Sequence, residues 1–141
     1  MKRVLKPMVI VMFSLAFALS VSSCNFFAGI FDPSVGTWMG GVQGITLTLQ
    51  LNGDKTFSEV MIDVSGNQEM AVTGTYTVDS TAHTLKTVVK TYTSNGADQA
   101  VSSLPGIGTD NSITVSFTVD GDVATMSGAS MPAGTYMLLR I

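Results

Sequence analysis

One cysteine, one histidine and one tryptophan occur in 141 residues, and that scarcity removes much chemistry before any pattern is sought. With Cys24 alone there is no intrachain disulfide and no thiolate zinc site to build. His83, the single imidazole, stands in Ser80-Thr81-Ala82-His83-Thr84, a run of turn-forming residues with no nucleophile elbow beside it. It reads as a solvated turn residue, and the chain is expected to have no catalytic residues, no metal and no cofactor. Charge is also sparse, at 12 % of residues, and three of the seven basic groups, Lys2, Arg3 and Lys6, fall in the first six positions. Beyond residue 23 only Lys55, Lys86, Lys90 and Arg140 stand against ten acidic residues, a net formal charge of −6. Nucleic acid is excluded as a partner, because phosphate binding needs clustered positive charge. Docking on anionic lipid by charge is excluded for the same reason.

What the first 24 residues do contain is a basic start, an apolar core from Met8 to Leu19 broken only by Ser14, and small residues before a cysteine in Val21-Ser22-Ser23-Cys24. Serines 14, 20, 22 and 23 interrupt the run, which falls short of the about 20 apolar residues a spanning helix needs. An ordinary secretory peptide would leave Cys24 as a lone thiol in an oxidising compartment. The segment resembles the lipobox of bacterial lipoprotein precursors. That resemblance implies a signal peptide over 1–23, cleavage before Cys24, and a diacylglyceryl thioether and palmitate-type acylation at Cys24. The expected location is the cell membrane or outer membrane, lipid-anchored and facing the periplasm or the exterior.

The remaining 118 residues suit one domain with a modest core. Residues 24–34 read as a lipidated cysteine followed by a short apolar tether or plug, since Phe26, Phe27, Ile30 and Phe31 come at once after it. They would either lie at the headgroup boundary or cover one end of the folded domain.

From residue 35 onward the pattern is of short β-branched and aromatic runs separated by Gly, Asn, Asp and Ser. Eight strands are expected, at about 35–42, 44–51, 56–64, 70–78, 84–92, 112–119, 122–128 and 134–141. Ile45, Leu47, Leu49 and Leu51 alternate with polar residues, as do Ile113, Val115, Phe117 and Val119, so each strand has one core face. In 56–64 both parities carry apolar groups, and a bulge near Phe57 is expected. Asn52-Gly53-Asp54 and Asp120-Gly121-Asp122 are hairpin turns. These turns, rather than calcium, account for their paired carboxyl and amide oxygens. Glu59, Asp63 and Glu69 have no assignable paired geometry of the glycosidase kind. Short links favour consecutive antiparallel neighbours, and the one long link, 94–111, reads as a lid or binding loop. The expected fold is all-β, an eight-stranded antiparallel up-and-down barrel, with a two-sheet β-sandwich as the alternative.

Gly36-Thr37-Trp38 at the start of the first strand, with Arg140 near the end of the last, resembles the signature of the lipocalin and calycin group. The resemblance covers residues 35–141 and implies a lipocalin-like barrel closed at one end by Gly36, Trp38 and Arg140. The chain departs from ordinary lipocalins in its shortness and in lacking a carboxyl-terminal helix and a disulfide. An eight-stranded barrel is either filled by side chains or admits one small ligand. Trp38, Tyr76, Phe117 and Tyr136 are expected on the wall of such a cavity, and the methionines at 39, 61, 70, 126, 131 and 137 would supply a deformable lining or simply core.

Two functions follow as expectations. One is a membrane-anchored barrel that binds a small apolar molecule without catalysis. The other is a structural lipoprotein with a filled barrel, which meets an envelope or host protein through loop 94–111 or its threonine-rich strands. An apolar void above roughly 300 Å³ would favour the first.

Overall fold

The computed structural model describes residues 32–66, 69–129 and 134–141. The segment from Pro33 to Ile141 forms one compact unit. Cys24, the signal segment and the aromatic run from Phe26 to Phe31 lie outside the described residues.

Nine strands follow one another: β1 (Gly36–Val42), β2 (Ile45–Leu51), β3 (Thr56–Asp63), β4 (Glu69–Asp79), β5 (Thr84–Ser94), β6 (Ala97–Gln99), β7 (Ser112–Asp120), β8 (Val123–Ser127) and β9 (Thr135–Arg140). All observed pairings are antiparallel. From β1 to β5 each strand pairs with the next, β7, β8 and β9 do the same, β5 pairs with β7, and β9 returns to β1. Eight strands therefore close into a barrel, and β6 is an additional short strand on β5. Closure removes the unpaired edges that an open sheet of these strands would present.

The alternation of the sequence becomes the wall of the barrel. Leu47, Leu49 and Leu51 of β2 are at most 1 % exposed, while the intervening threonines and Gln50 face outward. Leu85 and Val89 of β5, Val115 and Phe117 of β7, and Met126 of β8 point into the same core. Asp120-Gly121-Asp122 makes its turn with Gly121 at φ 59°. In the Asn52 turn the left-handed residue is Lys55, at φ 67°. The Asp54 carboxylate steadies it, accepting from both the backbone N–H and the hydroxyl of Thr56.

Two expectations are corrected. Strand β3 pairs without a register shift on either side, so there is no bulge near Phe57. The irregularity lies between Thr73 and Gly74, where β5 carries Lys90 as an extra residue. A methyl group on Gly74 would collide with the Val88 carbonyl and press on the Phe57 ring, so only glycine lets the two strands approach there. The second correction concerns 94–111, which is not a bare loop. It contains β6 and a single 3-10 turn, Val101–Ser103, after which Leu104 is buried against the core.

Candidate functional site

The two ends of the barrel are built differently. At the end where β1 begins and β9 finishes, the Trp38 indole is fully buried and its Nε1–H donates to the Ser34 carbonyl at 2.9 Å. The Arg140 guanidinium lies over that ring, 4.2 Å from its centroid. It donates from Nη1 to the Val35 carbonyl at 2.6 Å and from Nη2 to the Pro33 carbonyl at 2.7 Å. Its Nε meets the Asp122 carboxylate at 3.2 Å. A Cβ on Gly36 would stand 2.7 Å from Arg140 Nη1, so the glycine leaves the space through which the guanidinium reaches the indole. Tyr76 belongs to the same end: its hydroxyl donates to the Asn52 carbonyl at 2.8 Å, and Lys55 Nζ lies 5.3 Å from its ring centroid. This end is a knot of donors and rings.

A cavity opens toward the other end. Its volume is about 90 Å³, and its lining is apolar apart from Glu59 and Thr87. Phe57, Glu59 and Met61 reach it from β3, Met70 and Val72 from β4, and Leu104 with Pro105 cover it from the segment after the 3-10 turn. Against the roughly 300 Å³ of an ordinary small-molecule pocket this is small. At a liquid share of about 30 Å³ each, it has room for roughly three waters, or for a close-packed chain of about five heavy atoms. An outer cleft of about 400 Å³ adjoins it, with Ile45, Asp63, Glu69, Tyr92 and Asn95 among its lining residues. Met61 and Met70 line both spaces and stand between them.

Glu59 is the exceptional residue. Strand alternation turns it inward between Leu49 and Val72, its partners on β2 and β4. Burial pushes its carboxyl from an ordinary 4.5 up to about 7, because a carboxylate loses more than an acid does on leaving water. Tyr136, fully buried on β9, has a hydroxyl with no hydrogen-bond partner. Burial raises its pKa, and so does the negative charge of Glu59. Two polar groups thus sense one another inside an apolar shell, and an unpaired buried hydroxyl costs about 1–3 kcal/mol.

Of the four aromatics expected on a cavity wall, none lines this cavity. Trp38 and Tyr76 seal the opposite end, while Phe117 and Tyr136 are core residues packed on β7 and β9. The wall is made instead by Phe57 and Glu59 of β3, by aliphatics of β4, β5 and β7, and by methionines 61, 70 and 126. Glu59 shares its strand parity with Phe57 and Met61, a signal that points to a core face, but the apolar residues on the other parity of 56–64 leave that face undecided in the sequence.

Among the described residues, no cluster of three or more His, Cys, Asp or Glu has metal-site geometry, and no helix is long and apolar enough to cross a membrane. His83 is exposed at φ 53° in the turn between β4 and β5, where its carbonyl accepts from the Phe117 N–H at 2.8 Å. No protein-family model, curated protein or solved structure matches this chain.

Proposed function

We propose that this is a lipid-anchored lipoprotein of the bacterial cell envelope whose lipocalin-like barrel binds a small, mostly apolar molecule without chemical turnover. The observation that carries the reading is Glu59, a carboxyl kept inside an otherwise apolar enclosure. A carboxyl drawn this far out of water is costly to ionise, and such groups concentrate where ligands bind. Cys24 supplies the anchor, and the Trp38 and Arg140 end supplies rigidity, leaving the opposite end as the entrance. The cavity volume narrows the ligand to something much smaller than the fatty or aromatic molecules that large barrels hold, unless Met61 and Met70 swing aside and join cavity to cleft.

Methionine-methyl NMR on the full chain in detergent micelles tests this reading. An organic-solvent extract of the host envelope should shift the methyls of Met61, Met70 and Met126 while leaving those of Met39 and Met137, which face outward, in place. Unmoved cavity methyls at saturating extract would contradict it.

One observation favours the interaction reading. Met39, Met137, Leu139 and Ile141 are 39 to 70 % exposed and form an apolar strip on the outer face of β1 and β9. Such a strip is a natural contact for an envelope or host protein.

A further inference from the structure

The path into the barrel carries one sign of charge. Asp63 and Glu69 line the outer cleft, Glu59 lines the cavity behind it, and no lysine or arginine among the described residues lines either. The basic residues of the domain are committed elsewhere. Arg140 is held on Trp38 and Asp122, Lys55 lies over Tyr76, and Lys86 reaches Asp110 at 3.3 Å on the outer surface. Lys90 is exposed at the irregularity in β5.

We propose that the cavity takes a short primary aliphatic amine, with its ammonium on the Glu59 carboxylate and its hydrocarbon part against Met61, Met70, Val72 and Met126. The inference rests on the ligand-binding reading above and adds the charge and size of the ligand. An ammonium brings three donors and no acceptor, which matches what the enclosure lacks. One proton goes to the Glu59 carboxylate, the one acidic group on the cavity lining. A neutral hydrocarbon would offer that carboxylate no donor. The volume of about 90 Å³ sets the length of the hydrocarbon at about four carbons. Entry runs past Met61 and Met70, whose unbranched thioethers change rotamer at low cost. Asp63 and Glu69 raise the local concentration of cations at the mouth.

Protonation of Glu59 competes with the amine. The side chains that β2, β4, β5, β7 and β8 turn toward Glu59 are apolar apart from the Thr87 hydroxyl, and β9 adds Tyr136, which stays neutral in this range. Asp63 and Glu69 are the next carboxylates, across the methionine partition. Since burial holds Glu59 near 7, binding at pH 7 ejects the proton from the fraction of molecules that carry it. Affinity therefore rises from pH 6 to pH 8, before the amine itself loses its charge near about 10.

Calorimetric titration of the full chain in dodecyl maltoside micelles tests the proposal, with n-butylamine and 1-butanol as probes on wild type and Glu59→Gln. The variant keeps the shape of the site and removes a group that is costly to ionise, so it folds. Butylamine should bind wild type at pH 8 at least tenfold more tightly than it binds Glu59→Gln, and more tightly than at pH 6. At pH 7, titrations in buffers of different ionisation enthalpy should report about half a proton released per amine bound. Butanol should bind both proteins alike. If butanol matches the amine on wild type, or if Glu59→Gln binds the amine as well as wild type does, the proposal fails while the barrel remains a neutral apolar site. Binding of neither probe overturns the ligand-binding reading as well.

Discussion

The Arg140 guanidinium lies 4.2 Å above the centroid of the Trp38 ring, and these residues face one another directly across the seam that closes β9 onto β1. The contact joins residues separated by nearly the whole domain, so it forms only when the barrel closes. It combines a cation on an aromatic face with two charge-assisted hydrogen bonds to backbone carbonyls, each stronger than an ordinary neutral one.

Removing either partner should destabilise the barrel, and the two losses should be coupled. Trp38→Ala is expected to cost about 3–5 kcal/mol, because it deletes a fully buried indole. Arg140→Ala should cost about 2 kcal/mol, and Arg140→Lys most of that, because an ammonium cannot bond two carbonyls while lying flat on the ring. Urea melts of the double variant should show less than the sum of the singles. Strict additivity would mean that the stack contributes nothing.

Gly74→Ala should be strongly destabilising, by about 2 kcal/mol or more, since the added methyl meets the backbone of Val88 rather than a movable side chain. Gly53→Ala meets open space and serves as the control. Thermal melts of the two variants should differ by several degrees, and equal melting temperatures would contradict the close approach of β4 and β5.

Glu59 predicts an unusual pH dependence of stability. Its carboxyl titrates at about 7 in the folded chain against an ordinary 4.5, so the folded state holds the proton more tightly. The associated stability is fully present below pH 4.5 and is lost as pH rises through 7, a change on the order of 3 kcal/mol. Glu59→Gln should remove this slope, matching wild type at pH 4 and exceeding it at pH 8. Parallel stability curves for the two proteins between pH 5 and 8 would refute the burial of this carboxyl.

Tyr136→Phe deletes a hydroxyl that has no partner and should leave stability unchanged or raise it by about 1 kcal/mol. A loss exceeding about 1 kcal/mol in denaturant melts would show that the hydroxyl is satisfied in the empty protein.

Much of this architecture was legible from residue order. The Leu47, Leu49, Leu51 alternation and its counterparts on β5 and β7 announce one buried face per strand, and the Gly, Asn and Asp turns fix the hairpins between them. Gly36, Trp38 and Arg140 were legible only through a family resemblance, because no local pattern tells a chain which of its strands will meet across a seam. Strand β6 was missed because Ala97, Asp98 and Gln99 are all exposed and therefore carry no alternation. The irregularity was misplaced because Val60 and Ile62 on the outer parity of β3 imitated a register shift, whereas its actual cause is steric, at Gly74. Strand position, more than aromatic character, decides which side chains line the cavity. The Trp38 and Tyr76 rings occupy the sealed end, and the hollow lies where Phe57, methionines, aliphatic residues and one glutamate face each other.

The claim at the centre of this account is that the barrel holds a small molecule in its cavity. Native mass spectrometry of the full chain purified from its own host tests it most directly, with wild type compared against Val72→Trp, in which an indole fills the space. The account predicts a small adduct on the wild-type protein that is released on activation and is absent from Val72→Trp. Wild type and variant that both fly without an adduct, or that carry the same one, would contradict it and leave the apolar strip of β1 and β9 as the working surface of the protein.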